Sequence, residues 1–321
     1  MTPGAQALVQ DLGRPGLAHL GVSTSGAADP RSMRAANRAV GNPAGAAVLE
    51  AVGGGLRLRA RGTVVVALAG ADAGAVVHPA GVEGARAGGA PKARAFRLAD
   101  GDELALGAPA RGLRTYVAVR GGLDVTPVLG SASTDVLAGL GPAPLSPAAL
   151  LRCEHDFGPL RSSEGGQNHA HNDPGGAGAG AVAAGDVGAP DPAALPAPGE
   201  VTTLPLLLGP HDDWFSHAAV ALLHDQAWEV TMRSDRVGLR LAGARPLERA
   251  TSARDLELPS EGCVTGALQV PPDGQPVLFG PDHPLTGGYP VVGAVPSTHL
   301  WLLGQLPPGA LLRFVPRRLS T

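Results

Sequence analysis

Short apolar runs, each closed within a few residues by glycine or proline, constrain this chain more than any other feature. It holds 47 glycines and 31 prolines in 321 residues. Glycine supplies backbone conformations closed to other residues, and proline removes a donor, so both end helices and ladders. Between these breaks, Leu56–Ala60 alternates with period two, as a half-buried strand does. Thr63–Leu68 is a β-branched run suited to a strand buried on both faces. Arg94–Leu98, a turn at Asp100-Gly101-Asp102, and Glu103–Leu106 predict a hairpin. Further strands are expected at Thr115–Val119, Leu204–Leu208, Glu229–Met232, Val237–Leu241, Gly266–Val270, Gln275–Phe279 and Ala310–Val315. Many short strands with such turns predict a mainly β chain of barrel or sandwich domains with a few short helices.

One helix is signalled at Asp29, which caps, followed by Pro30 in the first turn and stopped by Gly41 and Pro43. Met33, Ala36, Asn37 and Val40 share its buried stripe, leaving Arg31, Arg34 and Arg38 to solvent or an anion. Others are expected from Asp212, with Phe215, Ala218, Ala219 and Leu222 at helical spacing, and over Thr298–Gln305. Residues 158–200 contain almost no large apolar side chain to offset chain entropy, so they read as a flexible linker. That divides the chain into 1–157, the linker 158–200, and 201–321.

The net charge of −3 argues against a nucleic-acid partner, which needs a basic stripe. Lys92 is the sole lysine, in a loop poorly suited to desolvating an amine, so a lysine nucleophile is not expected. Cys153 and Cys263 make no disulfide framework, and His169 and His171 lie in the linker, where nothing rigid holds ligands; no metal site is expected. With no signal segment and no apolar stretch of membrane-spanning length, the expected location is cytoplasmic.

Three segments are richer in polar residues and glycine than a core requires. Ser25-Gly26 precedes a helix start, where backbone amides favour an anion, though a loop with an N-cap has the same look. Ser234, Arg236, Gly238 and Arg240 would share one strand face and suit a carboxylate, or simply face solvent. Gln269 opens a segment in which Pro272-Asp273-Gly274 is a turn signal, while Thr286-Gly287-Gly288-Tyr289 is either ordinary loop or an anion nest. Asp72 and Asp135 are carboxylates at strand ends, open to acid–base roles.

The same loops carry a resemblance. Val9-Gln-Asp-Leu-Gly-Arg-Pro-Gly16, Ser25-Gly-Ala-Ala-Asp29, Ala36-Asn37, Val40-Gly-Asn-Pro43, Leu49-Glu50, Leu68-Ala-Gly-Ala-Asp72, Val119-Arg-Gly-Gly122 and Leu129-Gly-Ser-Ala-Ser-Thr-Asp135 come first. Gly209-Pro-His-Asp-Asp213, Ser234-Asp-Arg-Val-Gly238, Gln269-Val-Pro-Pro-Asp-Gly274 and Thr286-Gly-Gly-Tyr-Pro290 follow. Together they resemble the allophanate-hydrolase subunit 2, or biotin-dependent carboxyltransferase-like, family, which includes the C subunit of 5-oxoprolinase. Three departures stand out: a missing strand before Pro3-Gly4, the long linker, and Leu285 where a second threonine usually precedes Thr286.

The resemblance implies two cyclophilin-like β-barrels and a heteromeric enzyme. The function it implies is a subunit of ATP-dependent 5-oxoprolinase, working with the A and B subunits of that enzyme, with ATP as co-substrate. In that reading Asp72, Asp235 and Tyr289 are the catalytic candidates. Ser25, Gly26, Arg120, Ser234, Arg236, Arg240, Gln269, Thr286, Gly287 and Gly288 are the substrate-binding ones, converging on one cleft. The alternatives are a biotin-dependent carboxyltransferase component of the urea carboxylase type, and a regulatory protein that antagonises an inhibitor of a sporulation kinase.

Overall fold

The structure is a computed structural model that describes residues 1–81, 88–91, 94–153, 190–254 and 256–318. Lys92, His169 and His171 lie outside the described residues, as does most of the expected linker. The first half carries β1 (Thr2–Pro3), β2 (Gln6–Gln10), α1 (Pro30–Val40), β3 (Val48–Val52), β4 (Leu56–Arg59) and β5 (Val64–Gly70). β6 (Val76–His78), β7 (Gly88–Gly89), β8 (Phe96–Leu98), β9 (Glu103–Ala105) and β10 (Arg114–Val119) complete it. They form two five-stranded sheets, ordered β2-β3-β10-β5-β8 and β1-β4-β9-β6-β7.

The alternation of side chains along a strand explains the layering. On β10, Val117 and Val119 face the core between the sheets, with Leu49, Leu56, Phe96 and Leu104. Tyr116 and Ala118 face the other way, against Met33, Ala36 and Val40 of α1. The central strands are therefore buried on both faces, as the run at Thr63–Leu68 predicts.

α1 begins and ends where expected. Asp29 accepts from the Arg31 and Ser32 amides at 3.1 Å each, and Gly41 closes the helix at φ 80°. Such a cap is worth about 1 kcal/mol. Asn37 sits fully buried in the apolar stripe because its amide is satisfied, donating to the Ala46 carbonyl at 2.8 Å and accepting from Asn42.

The second half carries β11 (Val201–Leu208), α2 (His217–Asp225), β12 (Trp228–Val230), β13 (Gly238–Ala242), β14 (Glu261–Gly262) and β15 (Ala267–Gln269). β16 (Val277–Phe279), β17 (Thr286–Gly287), β18 (Val291–Ala294), α3 (Leu300–Leu303) and β19 (Leu311–Arg317) follow. Seven strands close a barrel in the order β11-β18-β15-β16-β13-β12-β19, and β14 pairs with β17 outside it. Trp228, Leu204, Leu206, Leu312 and Phe314 fill the interior.

The mainly β expectation holds. A closed barrel is found in the second half, whereas the first is two separate sheets. The hairpin expected across Asp100-Gly101-Asp102 is instead a corner: β8 joins β5 in one sheet, and β9 joins β4 and β6 in the other. Phe96, Leu98, Leu104 and Leu106 all face the space between the sheets. The same alternation serves a corner as well as a hairpin. The helix expected from Asp212 is a single 3-10 turn, Asp212–Trp214, and α2 starts only after Ser216 caps the Ala219 amide at 3.1 Å. Residues 190–200, assigned to the linker, are partly packed. Leu195 is 1% exposed, and Pro196 accepts from the Gly112 amide at 2.7 Å.

Candidate functional site

A charged residue in the middle of a buried strand must find partners, and Glu50 on β3 does so across both halves of the chain. It is fully buried. Its carboxylate accepts from Arg236 at 2.7 Å, Arg114 at 3.2 Å, the Tyr116 hydroxyl at 2.8 Å and the Ala28 amide at 3.0 Å. Burial pushes the Glu50 carboxyl up, but the Arg236 and Arg114 guanidiniums outweigh it and hold the group below its ordinary value. Arg236 also grips Asp282 through Nε at 2.9 Å and Nη2 at 2.8 Å, and donates to the Gly26 carbonyl at 2.6 Å. Asp282 in turn accepts from the Ser25 hydroxyl at 2.7 Å. Beside this cluster Gln305 donates to Asp29 at 2.8 Å, and Arg114 donates to the Gly304 carbonyl at 2.7 Å.

These groups join the α1 end of the first half to the barrel. Burial raises the Asp29 carboxyl and, with the Glu50 charge, raises the Tyr116 hydroxyl well above its usual range. Arg236 is 2% exposed and occupied by protein acceptors. The structure thus brings Ser25, Gly26 and Arg236 together, as a packed joint with no open face.

The shared strand face expected for Arg236 and Arg240 is not formed. β13 starts only at Gly238, and the residues before it make a turn. In that turn the exposed Asp235 carboxylate accepts from the Val237 and Gly238 amides at 2.8 and 3.2 Å. Ser234 accepts from the Arg240 amide at 3.0 Å, and the Arg240 side chain is exposed. The turn breaks the strand parity that would have placed the two arginines side by side. Arg120, at the end of β10, donates to the Val40 carbonyl at 3.0 Å.

The open concavity lies elsewhere on the barrel. A cleft of about 730 Å³ is lined by Pro271, Pro272, Asp273 and Gly274 on one side and Gly288 and Tyr289 on another. Glu248, Arg249, Arg254 and Glu257 bring charge to its walls, and Leu256 and Leu258 bring apolar surface. Two of the motif segments therefore meet here, and Tyr289 stands 45% exposed at the rim. Gln269 is buried behind it and donates to the Tyr289 carbonyl at 3.1 Å. Thr286 and Gly287 form β17, paired with β14. Gly287 is needed for space, since a Cβ there would lie 2.5 Å from the Gln269 amide nitrogen and 3.1 Å from the Cys263 sulfur.

A smaller cavity of about 100 Å³ lies by Asp72, walled mostly by Leu68, alanines and prolines. The Asp72 carboxylate there accepts from the Gly74 amide at 3.2 Å. The larger cleft, with room for a small molecule and both arginines and carboxylates on its walls, is the better candidate for a polar ligand. Among the described residues no cluster of histidine, cysteine and carboxylates suits a metal ion. Among them, too, no helix is long and apolar enough to cross a membrane.

Sequence reasoning missed several contributors. Glu50, a charge between buried Leu49 and Ala51, carried a legible signal, because a buried strand tolerates a carboxylate only with partners. Arg249 and Arg254 carried none: loop arginines look alike until the loop is folded.

Comparison with known proteins fits this arrangement. The carboxyltransferase domain family, subdomain A and B, matches residues 20–316. The chain is 33% identical over 313 residues to the C subunit of 5-oxoprolinase from Escherichia coli, covering 97% of this chain and 88% of that one. It is 30% identical over 325 residues to urea amidolyase of Lachancea kluyveri, covering 98% of this chain but 16% of that protein. Among solved structures, the urea carboxylase of Kluyveromyces lactis superposes with a TM-score of 0.80 at 28% identity, over 98% of this chain and 27% of that one. The chain thus spans about a quarter of that structure, and a sixth of the amidolyase. With the family match running almost end to end, the chain belongs to the carboxyltransferase domain family, subdomain A and B.

Proposed function

We propose that the chain is a subunit of an ATP-dependent 5-oxoprolinase, acting with A and B subunits to convert 5-oxo-L-proline to L-glutamate. The observation that carries this reading is length. The resemblance to the C subunit of 5-oxoprolinase covers 97% of this chain and 88% of that protein, so the two correspond nearly whole to whole. The cleft supplies matching chemistry. A five-membered lactam bearing a carboxylate is small and anionic, and arginine grips carboxylates with paired donors. Arg249 and Arg254 are the cations on its walls, Tyr289 offers a hydroxyl at the rim, and Gly288 lets the backbone approach a ligand without a side chain in the way.

Hydrolysis adds the oxygen of water to the ring carbonyl carbon, breaks the ring C–N bond and moves a proton to nitrogen. ATP turnover drives the step. Within this chain the residues at the cleft bind and orient the ring. Asp72 and Asp235 do not line it, so the carboxylates available there are Glu248, Glu257 and Asp273. Ser25, Gly26 and Arg236 hold the two halves together, and Gln269 supports Tyr289.

The test is reconstitution with the A and B subunits, ATP and 5-oxoproline, following glutamate release. Arg254→Ala is expected to raise KM about tenfold or more, since hydrogen bonds to charged groups are worth about 1.5–3 kcal/mol. Absence of glutamate from the complete wild-type assembly sinks the reading.

Carboxyl transfer from a biotinylated partner is the second reading, favoured by the superposition on urea carboxylase. It predicts bicarbonate- and biotin-dependent product where the first predicts none.

A further inference from the structure

Two ends of one loop are tied through a single residue, His211, by its backbone at one end and its ring at the other. The His211 backbone amide donates to the Val291 carbonyl at 3.1 Å. Its ring Nε2 lies 2.9 Å from the Glu261 carboxylate, and Glu261 is the β14 residue paired with Gly287 on β17. A carboxylate only accepts, so the bond forms with the proton on Nε2. His211 therefore spans from the start of β18 to the strand beside Gly287, bracketing the segment that carries Gly288 and Tyr289. The same ring sits 5.1 Å from Trp214, over which Arg249, another residue lining the cleft, lies at 5.8 Å.

We propose that His211, with Glu261, is a positioning residue: it clasps the 287–291 loop and presents Gly288 and Tyr289 to the ligand in the cleft. Two further ties hold that loop, the Gln269 bond to the Tyr289 carbonyl at 3.1 Å and the Val270 amide bond to the Pro290 carbonyl at 3.0 Å. Both reach the loop from β15, behind it. His211, paired with Glu261, instead links the loop to the segment after β11, and through Trp214 to Arg249. The inference rests on the reading of this cleft as the ligand site.

Hydrogen exchange on the purified full chain tests the clasp, and reconstituted turnover of 5-oxoproline tests its purpose. In His211→Ala, the amides of residues 285–289 and 291 are expected to exchange about tenfold faster, the factor for roughly one lost hydrogen bond, while β10 keeps its protection. KM for 5-oxoproline rises and kcat is retained. His211→Gln, whose amide still donates to Glu261, restores both values. Glu261→Ala reproduces the local effect from the other partner, which separates a lost clasp from a chain that fails to fold. Unchanged exchange at those amides in both alanine variants overturns the clasp. Faster exchange with an unaltered KM overturns the positioning role. If the wild-type assembly turns over no 5-oxoproline, the functional reading fails, and the exchange data still decide the clasp.

Discussion

Replacing Arg236 with alanine should separate the two halves of the molecule rather than weaken a ligand. The change removes hydrogen bonds of 2.7 Å to Glu50, 2.9 and 2.8 Å to Asp282, and 2.6 Å to the Gly26 carbonyl. Glu50 keeps Arg114, Tyr116 and the Ala28 amide, but Asp282 loses its charged partner while fully buried. Removing one member of such a pair costs about 3–5 kcal/mol, a large part of the roughly 5–15 kcal/mol that folded domains possess. With a urea dependence of about 3 kcal/mol per molar, the midpoint falls by about 1–2 M. The chain's three tryptophans, Trp214, Trp228 and Trp301, all lie in the second half. Fluorescence therefore follows that half, whereas far-ultraviolet circular dichroism follows both. The two transitions should diverge in R236A, because the joint that couples the halves is broken. R236M/D282N, which removes the orphaned charge, should recover part of the loss. Wild-type stability in R236A with lost affinity for a small acid would refute the reasoning and return Arg236 to the ligand role.

His283 supplies a pH test. It is 5% exposed and stacks on Phe279 at 5.7 Å. Burial holds its pKa below the ordinary 6.5, against the opposing pull of the Pro284 carbonyl, Asp282 and Asp135. The unfolded chain then binds more protons between the lowered folded value and 6.5, so stability rises with pH through that window and is lost as pH falls below 6.5. His283→Gln should flatten that dependence in thermal melts, and an unaltered pH profile counts against it. Gly304→Ala tests the joint sterically: its backbone is helical, at φ −67°, but a Cβ would lie 2.5 Å from the Ala28 carbonyl. A loss of about 1–3 kcal/mol is expected. Gly262→Ala, with nothing within 4 Å, should stay within about 0.5 kcal/mol; equal melting temperatures for the two variants would contradict the packing.

Local chemistry alone determined the boundaries of α1, because Asp29, Pro30 and Gly41 act within a turn of themselves. It likewise determined the short strands, the two-sided burial of β5 and the polar loops that mark the family. Tertiary structure decided the rest. Whether Phe96–Leu98 pairs with Glu103–Ala105 or crosses to another sheet depends on partners some thirty residues away, and alternation is the same in both cases. Whether Arg236 meets a ligand or Glu50, 186 residues distant, depends on how the halves dock. A guanidinium seeks any carboxylate, and only the folded chain determines which one arrives, since that choice rests on long-range geometry that residue types do not encode locally.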